Sequence, residues 1–144
     1  MPRGQARLCL LEYDQRFSVF QEEYKHYDYQ QPLRLGAEMK GAFDRVFCDP
    51  PFLSEDCQTK AAITVRWLCK GYSESTMDLS DLHQGVLRPR IIVCTGERME
   101  EIVRRLHPDI FTTDFEPRHA QGRLDHYTML SNCQVPKAEM QALK

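Results

Sequence analysis

The chain has 144 residues, a length that fits one domain, and 42% of them are hydrophobic, enough for a packed core and too many for a disordered chain. Its formal net charge of −2 supplies no overall positive field to draw it to DNA or RNA, which argues against a nucleic-acid enzyme. Apolar runs such as Ile91-Ile92-Val93-Cys94 fall far short of the about 20 residues of a membrane span, and the basic start from Met1 to Arg7 leads into too little apolar sequence for a secretory signal.

In chain order, Leu8-Cys9-Leu10-Leu11 is an apolar run without alternation, which predicts a parallel strand covered on both faces and ending at Glu12-Tyr13-Asp14. Arg16 to Tyr24 carries Phe17, Phe20 and Tyr24 at helical spacing. His26-Tyr27-Asp28-Tyr29 reads as a second short strand, closed by Gln30-Gln31-Pro32. Phe43 to Cys48 is a third strand that runs straight into Asp49-Pro50-Pro51. Ser54 to Cys69 carries the clearest helical pattern: Ser54 caps it, Glu55 and Asp56 suit its positive end, and Ala62, Val65, Trp67, Leu68 and Cys69 supply apolar surface.

From 71 to 89 the residues turn to Ser, Asp and Gly, as in a long inserted loop. Ile91 to Cys94 is a fourth strand stopped by Thr95-Gly96, and Met99 to Leu106 is an amphipathic helix stopped by His107-Pro108. Ile110 to Phe115 and Tyr127 to Leu130 are two last strands. The polar turn from Pro117 to Gly122 makes them an antiparallel pair. Strands alternating with helices predict an α/β sheet, and residues 134–144 form a polar tail. The six cysteines contain no CxxC pair, so a metal site is not expected and a reducing, cytoplasmic setting is.

The chemistry concentrates in Asp49-Pro50-Pro51-Phe52. Neither proline can donate to a sheet ladder, so the strand ends abruptly at its C-terminal edge, where open α/β sheets bind ligands. Proline also fixes φ and stiffens the loop. Asp49 and the Pro50 carbonyl can accept hydrogen bonds from one amine and aim its lone pair at a methyl group, which is catalysis by positioning. Phe52 can wall in that amine or hold a cationic lysine head on its face. An ordinary turn would use the same residue types; the place after a buried strand and before an amphipathic helix favours the catalytic reading.

The tetrapeptide resembles the (Asp/Asn)-Pro-Pro-(Tyr/Phe/Trp) motif of amino-methyltransferases. The longer string Asp49-Pro50-Pro51-Phe52-Leu53-Ser54-Glu55 resembles the elongation factor 1-alpha lysine methyltransferase 1 family, formerly described as N6-adenine-specific DNA methyltransferase 2. Leu11 to Phe17, Tyr27-Asp28-Tyr29, Cys94-Thr95-Gly96 and Phe115 to His119 match the same family in order. The resemblance implies a seven-stranded, Rossmann-like methyltransferase fold over 8–133, S-adenosylmethionine as methyl donor, and a lysine of elongation factor 1-alpha as acceptor. It places Asp49, Pro50, Pro51 and Phe52 at the catalytic loop. Glu12, at the end of the first predicted strand, is then a candidate for the cofactor ribose. Asp28, after the second, is a candidate for the adenine amine, with Tyr29 packed nearby.

Against that family, the helices and the strand leading to the cofactor loop would lie upstream of Leu8, so a partial fold lacking its first strand is expected. The strand edge beside it would be open, and this chain alone is expected to bind S-adenosylmethionine weakly or not at all. Arg118-His119 fits a loop near the catalytic face or a plain surface turn, and Cys57 lacks an evident base to make it a nucleophile. Adenine N6-methylation of nucleic acid, and a truncated form without activity, are the alternatives to lysine methylation. A monomer is expected.

Overall fold

The computed structural model describes residues 6–71, 89–118 and 127–132. Ile91 and Val93 alternate with less buried neighbours along one strand and Leu130 is fully buried on another, and these positions set where the sheet meets the helices. β3 (Arg45–Cys48) pairs in parallel with β4 (Arg90–Gly96). β6 (Tyr127–Ser131) lies antiparallel to both β4 and β5 (Phe111–Thr112), giving the order β3-β4-β6-β5. The antiparallel terminal pair predicted from the sequence is present, with β6 inserted between β4 and β5.

Two helices cover one face of this sheet. α1 (Glu55–Leu68) starts where Ser54 Oγ accepts from the Cys57 N–H at 3.3 Å, with Glu55 and Asp56 in its first turn. α2 (Glu100–Leu106) follows a 3-10 turn over Glu97–Met99. Val65 and Cys69 meet Ile91, Val93, Val103, Ile110 and Leu130 in a single buried cluster, edged by Val46, Cys48 and Met99. Each large member removed from water contributes about 1.5–3 kcal/mol. On the opposite face Phe47, on β3, is 62% exposed, while Ile92, Cys94 and Met129 are half-buried.

β1 (Leu10–Glu12) and β2 (Tyr24–His26) form a separate parallel pair, with Leu10 opposite Tyr24 and Glu12 opposite His26. The expectation of a first strand covered on both faces is not met, because all of β1 is only half-buried. The residues between the two strands also differ from expectation. Gln15–Glu23 is 3-10 helix in two pieces kinked at Gln21 (φ 53°), and none of its residues is buried. Phe17 and Phe20 stack on one another, 6.4 Å apart and 40–50% exposed, instead of entering a core. The second strand accordingly begins at Tyr24 and ends at His26, so Asp28 and Tyr29 lie in the turn beyond it.

The third strand is shorter than read, since Phe43 contributes only an isolated bridge to Cys69, and β5 shrinks to two residues. β4 instead runs on through Thr95 to Gly96, because β6 offers partners that far. Most of the 71–89 segment, the tail from 134 to 144 and His119 lie outside the described residues. Among the described residues, no helix is long and apolar enough to cross a membrane.

Candidate active site

β3 delivers Asp49 to the C-terminal edge of the sheet, and the two prolines turn the chain from strand to helix within a few residues. Asp49, Pro51 and Phe52 are exposed there, and Pro50 is half-buried. The loop forms one wall of a cavity of about 570 Å³, within the usual range for small-molecule sites. The end of β1 and the turn after β2 form the facing wall, and α1 contributes Ala61, Thr64, Val65 and Leu68. Asp49, Pro50, Pro51, Phe52, Glu12, Asp28 and Tyr29 all line this one space, so residues scattered over 41 positions of sequence are brought together.

The carboxylates around it differ in what they are free to do. Asp14 is tied to Arg16 by a fork of side-chain bonds, the shortest 2.5 Å, and that pairing holds its carboxyl below the usual range. Glu12 Oε1 accepts from the Asp14 N–H at 3.0 Å, and Asp28 Oδ1 from the Gln30 N–H at 2.9 Å. Each of these two uses one oxygen to fix its own turn, and among the described residues no hydrogen bond engages the other. That acceptor set fits a nucleoside: two acceptors for hydroxyl or amine, flanked by the aromatic surfaces of Tyr29 and Phe47.

Tyr29 meets Phe52 edge to face, with ring centroids 5.7 Å apart, and so joins the two walls. Lys60 Nζ lies 5.9 Å from the Tyr29 centroid while donating to Gln30 Oε1 at 2.7 Å and Asp56 Oδ2 at 2.9 Å. The thiols nearby are inert. Burial, with help from Asp49 and Cys57, pushes Cys48 up to about 12. Burial also raises Cys57 and Cys94, so all three stay protonated and pack as small apolar groups. Arg118 is exposed and does not line the cavity.

Four side chains escaped the sequence reading. Thr64 Oγ1 donates to the Pro32 carbonyl at 2.8 Å, which leaves the Tyr27 hydroxyl to donate to Thr64 Oγ1 at 2.7 Å. These bonds dock the Asp28–Tyr29 turn on α1, and burial raises the Tyr27 hydroxyl above its ordinary value. Gln58 and Thr95 form a second buried polar contact beneath the loop. The available signal was polar residues within an otherwise apolar stripe: Gln58 and Thr64 share the buried face of α1 with Ala61, Val65 and Leu68.

Residues 2–135 match the family model described as probable N6-adenine methyltransferase. The chain belongs to that family. It is 39% identical over 127 residues to protein-lysine N-methyltransferase EFM5 of Saccharomyces cerevisiae, covering 87% of this chain and 49% of the relative. It is 36% identical over 126 residues to EEF1A lysine methyltransferase 1 of Gallus gallus, covering 87% and 50%. The counterpart from Danio rerio is 38% identical over 124 residues, covering 85% and 63%. This member of the probable N6-adenine methyltransferase family therefore spans about half the length of several curated relatives it matches. The family's description speaks of adenine, whereas these relatives are named for lysine.

Proposed function

We propose that this protein is an S-adenosylmethionine-dependent protein-lysine N-methyltransferase whose acceptor is a lysine of elongation factor 1-alpha. The observation that carries the reading is the convergence of the Asp49-Pro50-Pro51-Phe52 loop with Glu12, Asp28 and Tyr29 on one cavity. The lysine named in several relatives supports the substrate class, and a net charge of −2 fits a protein acceptor better than a phosphate backbone.

In this reading, Glu12 and Asp28 hold the cofactor through their remaining oxygens, the first on the ribose and the second on the adenine amine, with Tyr29 beside the base. Bound S-adenosylmethionine supplies an electrophilic methyl group. Asp49 and the Pro50 carbonyl accept hydrogen bonds from the lysine amine and aim its lone pair, while Phe52 walls off water. Transfer would form the nitrogen–methyl bond as the sulfur–methyl bond breaks, with S-adenosylhomocysteine as the leaving group and the surplus proton of the nitrogen lost to water.

The same reading extends to the fold. Among the described residues β1 and β3 each have an unpaired outer edge and both line the cavity, which supports a further strand between them as in a seven-stranded sheet. We assign the methyltransferase domain to 8–133, with 71–89 an insertion, and a cytoplasmic monomer as its working form.

The test is transfer of labelled methyl to elongation factor 1-alpha, read by mass spectrometry. Methyl-lysine is expected. Asp49→Ala should lower transfer by a hundred-fold or more while the circular dichroism spectrum stays unchanged, since a lost positioning contact can cost that much. Retained transfer in Asp49→Ala would sink the assigned role. The family description favours one second reading, adenine methylation, and methyl-adenine in a nucleic-acid control would support it instead.

A further inference from the structure

We propose that Gln58, with Thr95 and Gly96, is the positioning device that holds the Asp49–Phe52 loop at its working geometry, an inference that rests on the methyl-transfer reading above. The loop has an anchoring problem built into its sequence. Pro50 and Pro51 carry no N–H, so neither can be tied down as a donor. Asp49, Pro51 and Phe52 are exposed, Phe52 by 55%, so burial does not hold them either.

Gln58 meets that problem from the first turn of α1. Its Nε2 donates to the Phe52 carbonyl at 3.1 Å and to Thr95 Oγ1 at 3.1 Å. A peptide carbonyl only accepts, which fixes the amide orientation with its nitrogen toward the loop. Gln58 is 3% exposed and Thr95 1%. An amide buried that deeply costs several kcal/mol unless its hydrogens are paired, and here both are.

The next residue is seated by space. A Cβ added to Gly96 would stand 2.8 Å from Leu53 Cδ1 and 2.9 Å from Cδ2. Gly96 has φ −65°, so its backbone needs no glycine, and what the position requires is room for Leu53. The loop leaving β3 is thus pinned to the end of the neighbouring strand β4 at two points. An exposed catalytic loop mounted on a buried polar clamp is what positioning catalysis requires. The matching segment Cys94-Thr95-Gly96, otherwise without a role, acquires one.

Shape-preserving variants test this. Gln58→Met and Thr95→Val should lower kcat for lysine methylation roughly ten- to a hundred-fold while KM for cofactor and acceptor moves less than about threefold. Thr95→Ser, which keeps the acceptor oxygen, should restore most of the loss. Gly96→Ala, which displaces Leu53, should resemble Gln58→Met and serves where that variant folds poorly. An unchanged kcat in Gln58→Met, or a Thr95→Ser as impaired as Thr95→Val, would overturn the proposal.

A readout independent of activity separates this inference from the function beneath it. Amide exchange at Phe52, Leu53 and Ser54 should quicken about tenfold in Gln58→Met, with exchange along β4 and β6 unchanged. Unaltered exchange at the loop overturns the clamp whatever the activity. If the wild-type protein methylates no lysine and the exchange still responds, the lysine reading falls and the clamp stands.

Discussion

The four-stranded sheet and the β1·β2 pair are built on opposite terms. The sheet brings Ile91, Val93 and Leu130 to 2% exposure or less under two helices, and it carries the Asp49 loop. The strand pair contains no buried residue, is three residues long on each side, and carries Glu12. It is tied to α1 through Tyr27, the Pro32 carbonyl and Gln30, all polar contacts. The lesson concerns division of labour. The groups proposed to aim the acceptor sit on a rigid platform, whereas those proposed to hold the cofactor sit on a part whose geometry depends on a few hydrogen bonds.

That contrast can be broken first at the core. Leu130→Ala should cost about 2–5 kcal/mol in urea denaturation, because a fully buried side chain leaves a cavity, while Leu11→Ala on half-buried β1 should cost less than half as much. Equal losses would mean that the pair is as well packed as the sheet.

The second probe uses acid on the platform alone. His107 caps the end of α2, is 3% exposed and has no hydrogen-bond partner for Nδ1 among the described residues. Burial, reinforced by the charge of Arg66 and opposed by Asp109, brings its pKa from 6.5 down to about 4. A depressed histidine stays neutral when folded, whereas the unfolded chain takes up a proton below pH 6.5. Stability from this group is therefore complete above that pH and lost as pH falls toward 4, about 2 kcal/mol of it by pH 5. His107→Phe should flatten this part of the pH profile. An unchanged slope would show that other groups set it.

The smallest effect sharpens the comparison most. Thr64→Val removes the acceptor of Tyr27 and the donor to Pro32, at a cost of about 1–2 kcal/mol. Amide exchange in β1 and β2 should quicken while β4 and β6 keep their protection. Uniform quickening would indicate that pair and platform open together.

Much of this was legible in the sequence where the cause is local. The proline pair stops a strand wherever it occurs, Ser54 caps the helix it precedes, and the hairpin-like ending follows from a polar turn between two apolar runs. Arg16 to Tyr24 misled because apolar spacing promises a helix only if something covers the apolar face. Among the described residues nothing covers it, so Phe17 and Phe20 stack on each other over 3-10 backbone. Gln58 and Thr64 were passed over because a buried polar residue takes its meaning from partners, and Thr95 lies 37 positions from Gln58.

By itself, then, the sequence determined the alternation of strands and helices, the stiff Asp49–Phe52 loop at a strand end, and the carboxylates that could face it. These follow from backbone and side-chain chemistry within a few residues. Tertiary structure decided that Glu12 and Asp28 share one cavity with that loop, that β6 enters between β4 and β5, and that a glutamine clamps the loop. Each of these is a meeting of distant segments, and no spacing along the chain encodes which buried donor will find which carbonyl.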